Sequence, residues 1–231
     1  MLWTEFQVRW DFVSKLCASV PADPGLREAW LESRKPSVRP PSSRSITEIN
    51  EEVLATMIEQ PEEDLGGLLV FQRLNGDCVQ RLGTIRAHIK DCSRVLSNQY
   101  IGKIQGERSW STRVVNGVYL KPMGYAIQGT QFLPILTQDG LPVITPNGTF
   151  DKAVHVKTAQ GARSAIKTIE YVVNARLEFT LMILQAKGNK PSVSESDLHI
   201  LFQYGGVHGY GGERGDGEGQ YTYTIQQVGG A

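Results

Sequence analysis

Half of the sixteen residues from Tyr204 to Gly219 are glycine, and one histidine, one arginine and three carboxylates stand among them. No other stretch of the chain restricts the possible folds as strongly. Glycine reaches positive φ without a Cβ clash and lets another backbone come close, so such a run marks a shaped backbone surface. Ordering it costs more backbone entropy than ordering other residues, so a structural or functional reason is expected.

The flanks narrow the meaning. Arg176 to Gln185 alternates at Leu177, Phe179 and Leu181 and then becomes apolar throughout, the pattern of a strand entering a core. Ser194 stands as N-cap with Asp197 three residues on, and Leu198, Leu201 and Phe202 share one side, which predicts a helix to Tyr204. Gln220 to Ile225 is β-prone. The predicted order is strand, helix, glycine loop, strand. A mononucleotide or dinucleotide fingerprint runs instead from a strand into a helix N-terminus, where amides and helix dipole meet the phosphate. No Gly-Lys-Ser/Thr follows either.

A helix, then Gly209, Gly211, Gly212, Glu213, Arg214, Gly217 and Gly219, then a last strand resembles the C-terminal signature of the RAMP superfamily. Its members are RNA-binding subunits and processing nucleases of CRISPR systems. The resemblance covers about the last fifty residues well and a helix near residue 90 loosely. It implies ferredoxin-like βαββαβ domains and an RNA backbone passing near His208 to Arg214. Asp216 and Glu218 depart from what a phosphate-binding loop would carry. The other reading of the same residues is close packing of helix against strand, with Glu213 and Arg214 pairing locally.

At 231 residues the chain can bury a sizeable core, and its 40% hydrophobic and 21% charged content is globular. Lys plus Arg equals Asp plus Glu at 24 each, so any basic surface must arise by segregation. Three cysteines, Cys17, Cys78 and Cys92, lack zinc spacing and read as reduced, buried thiols of a cytoplasmic protein. No apolar run approaches a membrane span, and Glu5, Arg9 and Asp11 interrupt any signal-like start.

Along the chain, Phe6, Val8, Trp10 and Phe12 alternate with polar residues and predict a half-buried first strand. Asp23-Pro24 opens a short helix, and residues 34–45 read as a mobile basic, proline-rich loop. Ser45 begins a capped helix to about Gln60. Gly67 to Leu74 reads as a strand, with Asn75-Gly76 turning it into Cys78 to Leu82. Thr112 to Leu136 reads as β-structure, Leu141 to Val156 as a hairpin around Pro146-Asn147-Gly148, and Ala162 to Val173 as helix or strand.

The second informative segment is Thr84 to Ser97, predicted as a helix capped by Thr84 with Ile85, Ile89, Cys92 and Leu96 as its apolar stripe. Arg86, Lys90 and Arg94 recur every four residues and stack on one adjacent face, where they repel. Lys103, Arg108 and Arg113 follow, with Tyr100 and Trp110 between them. From Arg81 to Arg113 seven cations face two acids, a local net charge of +5. Cations interleaved with aromatics suit single-stranded nucleic acid: the former track phosphates and the latter stack on bases.

Catalysis has little support. His88, His155, His199 and His208 lie on different elements, without metal-ligand spacing or a motif-defined nucleophile. His208 is the best general-base candidate because it sits in the glycine loop. No cofactor is expected.

The resulting expectation is an α+β protein on a ferredoxin-like (RRM-like) antiparallel sheet, helices on one face, with a β-rich insertion. The core is expected at 1–111 and 158–231 and the insertion at 112–157. The expected function is a non-catalytic, guide-RNA-binding subunit of a CRISPR-type ribonucleoprotein. Its partners would be single-stranded RNA and other subunits, copies of itself among them, and no membrane. Phosphate contact falls to Arg86, Lys90, Arg94, Lys103, Arg108 and Arg113, stacking to Tyr100 or Trp110. The loop residues His208, Gly209, Gly211, Gly212 and Arg214 would approach the RNA backbone. The alternatives are a RAMP-type endoribonuclease using His208 or His88, and an assembly protein of a mobile element.

Overall fold

A computed structural model describes residues 2–23, 25, 67–99, 108–122, 125–127, 129–158, 161–186 and 190–228. The helices expected after Asp23 and over 45–60, the basic loop 34–45, Tyr100 and Lys103 lie outside the described residues. The strands are β1 (Trp3–Phe12), β2 (Leu16–Cys17), β3 (Val20–Pro21), β4 (Leu68–Val70), β5 (Gln72–Leu74), β6 (Asp77–Arg81) and β7 (Val118–Leu120). They continue as β8 (Tyr125–Ile127), β9 (Thr130–Pro134), β10 (Gly148–Thr158), β11 (Gly161–Val172), β12 (Arg176–Ala186), β13 (Lys190–Pro191) and β14 (Tyr221–Val228). The helices are α1 (Leu82–Gln99), α2 (Arg108–Gly117) and α3 (Glu195–His208).

Two compact units divide the chain: residues 1–17, 72–146 and 172–231 form one, and 18–71 with 147–171 the other. In the first, β1 runs antiparallel between β12 and β14, and β7 and β13 pair with β12. With α1 and α2 before β7 and α3 between β12 and β14, the connectivity is the ferredoxin-like βαββαβ, in an α+β fold. Period-two alternation sets the faces. Phe6, Val8, Trp10, Phe12, Leu177, Phe179, Leu181 and Ile183 are all buried on one face. Each such side chain contributes about 1.5–3 kcal/mol on burial. Both helices cover that face, because the Trp10 ring meets His88 of α1 at 5.4 Å and Phe202 of α3 at 5.8 Å.

The capping box at α3 forms as its spacing predicts. Ser194 Oγ accepts from the Asp197 amide at 3.2 Å, and the Asp197 carboxylate accepts from the Ser194 amide at 3.0 Å. The helix then runs on through Gly205 and Gly206 to His208, past its expected end. Helix α1 begins at Leu82, so Thr84 is inside its first turn and donates to the Arg81 carbonyl at 2.7 Å. Asn75 and Gly76, with φ of 54° and 93°, make the expected tight hairpin between β5 and β6.

Two expectations change. Residues 112–117, expected as β, lie in the helix over 108–117: Trp110 and Val114, four apart, are both buried, and α2 packs against α1. The β-branched Thr112, Val114 and Val115 argue for a strand locally, and packing overrides that preference. Gly148 opens β10 rather than turning a hairpin within 141–156; β10 pairs along its length with β11, which settles 162–172 as strand. Residues 112–146 group with the first unit and 147–157 with the second. The second unit carries the order β10-β11-β4-β3, with β4 parallel to β11.

Candidate nucleic-acid interface

One turn of α1 advances about 3.6 residues, so Arg86, Lys90 and Arg94 are offset from one another by only about 40° and form a row. Lys90 is half-buried, and its pKa is held below the ordinary lysine value by that burial and by Arg86 and Arg94 on either side. Arg86 is oriented without a carboxylate: its guanidinium lies 4.8 Å over the Tyr119 ring and Nη2 donates to the Val115 carbonyl at 3.5 Å. Among the described residues, none of the three cations forms an ion pair.

The adjacent flank of the same helix is arranged differently. Asp91 Oδ2 accepts from Arg214 Nη1 at 3.3 Å and lies 3.3 Å from His208 Nε2, and Arg214 reaches His208 at 3.1 Å. His208 also stacks on Tyr204 with ring centres 5.3 Å apart. Arg214 thus meets α1 at its one acidic residue. Its charge is compensated there and is not added to the row.

Much of the glycine segment is bonded to the chain itself, including Gly209 and Gly212, where an RNA backbone was expected to approach. The Gly209 amide donates to Gly205, Tyr210 to Gly219, Gly212 to Cys17 and Gly219 to Lys15, at 2.8–3.1 Å. A loop that cradles phosphate needs such amides turned toward the anion. A Cβ on Gly209 would stand 2.5 Å from the Glu218 carbonyl, and one on Gly219 would overlap the Tyr210 backbone, both at positive φ. The backbone that comes close is the chain's own. The 3-10 turn at Arg214–Asp216 remains exposed, and Gly215 and Gly217 face open space.

This closure seats an aromatic hub. Trp10 stacks on Tyr221 at 4.3 Å, with Phe179, Phe202, Tyr210 and His88 around it. His88 Nε2 lies 3.0 Å from the Tyr221 hydroxyl, and Tyr210 shares a 2.6 Å hydrogen bond with Thr84. Gly205 makes room: its Cβ would fall 3.0 Å from His88 Nε2 and 3.4 Å from Cys92 Sγ. Burial, then the neighbouring Arg214 and His208, hold the His88 pKa down to about 3. Burial, with Asp91 adding to it, pushes the Cys92 thiol up to about 12. His88 is a neutral packing residue and Cys92 an inert thiol.

Trp110 is fully buried, which removes it as a stacking residue; its indole completes the α1–α2 core. Arg113 lies on α2, half-buried, and Arg108 opens that helix with its side chain outside the described set. Sequence reasoning passed over Trp3 and Tyr119. They meet edge to face at 5.3 Å on the polar side of the sheet, where register sets Tyr119 opposite Met182 and Trp3 opposite Leu184. Parity carried the signal: Trp3 shares the odd-numbered face of Glu5, Gln7, Arg9 and Asp11.

Among the described residues, no group of three or more His, Cys, Asp or Glu is placed to hold a metal ion. No helix among them is long and apolar enough to cross a membrane. No protein-family model matches the sequence, and no curated protein matches it. Among solved structures, a chain in the cryo-EM structure of the Type III-B Cmr-beta bound to cognate target RNA is similar over 98% of this chain. The TM-score is 0.46 and the identity 8%, and the match spans 61% of that chain's length.

Proposed function

We propose that the protein is a non-catalytic, single-stranded-RNA-binding subunit of a CRISPR-type ribonucleoprotein that holds guide RNA by its phosphates. The observation that carries the reading is the row Arg86, Lys90 and Arg94 along one face of α1, lacking an anionic partner among the described residues. A polyanion relieves that repulsion and releases its own counterions on binding. The ferredoxin-like connectivity and the RAMP-like C-terminal signature support the CRISPR assignment. Arg108, Arg113, Lys103 and Tyr100 remain proposed contacts. The exposed Arg214 and the half-buried His208 are proposed to touch RNA only at the rim, since Asp91 already engages both.

The test is equilibrium binding of single-stranded RNA across a salt series. Replacing Arg86, Lys90 and Arg94 together with alanine should weaken binding and flatten the slope of log K against log salt by about 2. An unchanged slope in a folded variant removes α1 from the interface. A nuclease reading runs through His208 rather than His88, because only His208 is partly exposed beside an arginine and a carboxylate. Metal-independent cleavage lost in His208→Ala would favour it.

A further inference from the structure

The row of α1 ends against an aromatic pair that no motif announces. Arg86 lies over one face of Tyr119 at 4.8 Å, and Tyr119 meets Trp3 at 5.3 Å with the planes 74° apart. Both aromatics are half-buried, on the sheet face opposite the helices. That setting is unusual for a tryptophan on an amphipathic strand, where the core face offers full burial, as Trp10 of the same strand obtains. The nearby carboxylate of Glu5 is already compensated, accepting from Lys121 Nζ at 2.8 Å. An anionic ligand following the row would therefore meet apolar ring surface beyond Arg86, not unpaired negative charge.

We infer that Trp3 and Tyr119 form a base-stacking platform for single-stranded RNA, continuous with the Arg86–Lys90–Arg94 row through Arg86. The inference rests on the proposed function, and it supplies the stacking partner that buried Trp110 cannot be. Phosphates run along α1, and an unpaired base leaves the strand to lie against the half-exposed rings. Stacking accepts any base, so this element adds affinity without reading sequence. Arg86 serves both parts: its charge faces the phosphates, and its planar guanidinium holds the Tyr119 ring in place.

Salt dependence separates the two elements. Trp3→Ala or Tyr119→Ala should weaken binding of a uridine-rich single-stranded RNA roughly 5- to 100-fold, the range of one lost base stack. The salt slope should stay as in the unaltered chain, because no counterion release is lost. Trp3→Phe should keep most of the affinity. As a measurement independent of variant folding, RNA carrying 4-thiouridine is irradiated on the unaltered chain, and crosslinks are expected on the peptides holding Trp3 or Tyr119. An oligodeoxynucleotide of the same sequence tells whether the platform prefers RNA. If the alanine variants fold and bind as the parent does, or the crosslinks fall only elsewhere, the platform is wrong while the row stands. If the unaltered chain binds no single-stranded RNA, both readings fall together.

Discussion

Two flanks of helix α1 carry charge and behave in opposite ways. On one flank Arg86, Lys90 and Arg94 stand together with no ion pair among the described residues, and Arg86 rests on the Tyr119 ring and the Val115 carbonyl. On the other, Asp91, His208 and Arg214 form a closed triangle with every separation near 3 Å. Much of the glycine segment beside that triangle is likewise bonded within the chain, at Gly209, Gly212 and Gly219, while Gly215 and Gly217 face open space. The difference separates two meanings of an unusual sequence. Glycine at 209 and 219 marks where the chain packs closely on itself, and like charge without an anion among the described residues is what carries the proposed RNA contact.

The contrast is broken most easily from the packing side. Trp110→Ala should cost about 3–5 kcal/mol in denaturant unfolding, because it empties a fully buried site. Its more conservative Trp110→Phe should leave RNA affinity unchanged, and a selective loss of binding would return the residue to the interface. Gly219→Ala forces a Cβ into the Tyr210 backbone at positive φ, so a loss of about 2–3 kcal/mol or more is expected in the same measurement. A stable Gly219→Ala chain that loses only RNA binding would mean the loop is a ligand surface after all.

Acid provides the next test. The His88 pKa is lowered from 6.5 to about 3 in the fold, so between those values the unfolded chain binds more protons. Stability should be complete above about pH 6.5 and fall by a few kcal/mol as pH drops toward 3. Denaturant midpoints across that range, compared with His88→Gln, read the effect. A pH dependence identical in both chains would dissociate it from His88.

The smallest expected change sharpens the boundary between the flanks. Asp91→Asn removes the carboxylate that engages Arg214 and His208. RNA affinity should rise about two- to fivefold at low salt, with the slope of log K steepening by up to about 1 as one more cation joins the phosphate contacts. A fall in affinity would show that the triangle itself, rather than the row, holds the ligand.

Much of the architecture was legible along the chain. Period-two alternation in β1 and β12 and the Ser194–Asp197 capping box are local patterns, and each produced the expected element. Asn75-Gly76 did so because only a few residue types accept two successive positive φ values. The row on α1 was legible for the same reason, since four-residue spacing fixes a shared face once the helix exists. Helix α2 was not, because the burial of Trp110 and Val114 against α1 outweighs what β-branched residues prefer locally.

Sequence by itself determined which side chains could share a face, because helical and strand periods are properties of the backbone. The tertiary structure alone decided which faces are satisfied. It set Asp91 against Arg214, turned Tyr210 inward onto Trp10, and brought Trp3 to Tyr119 from residues more than a hundred positions apart. Compensation of charge and closeness of packing depend on distances between chain segments, and no local pattern encodes them.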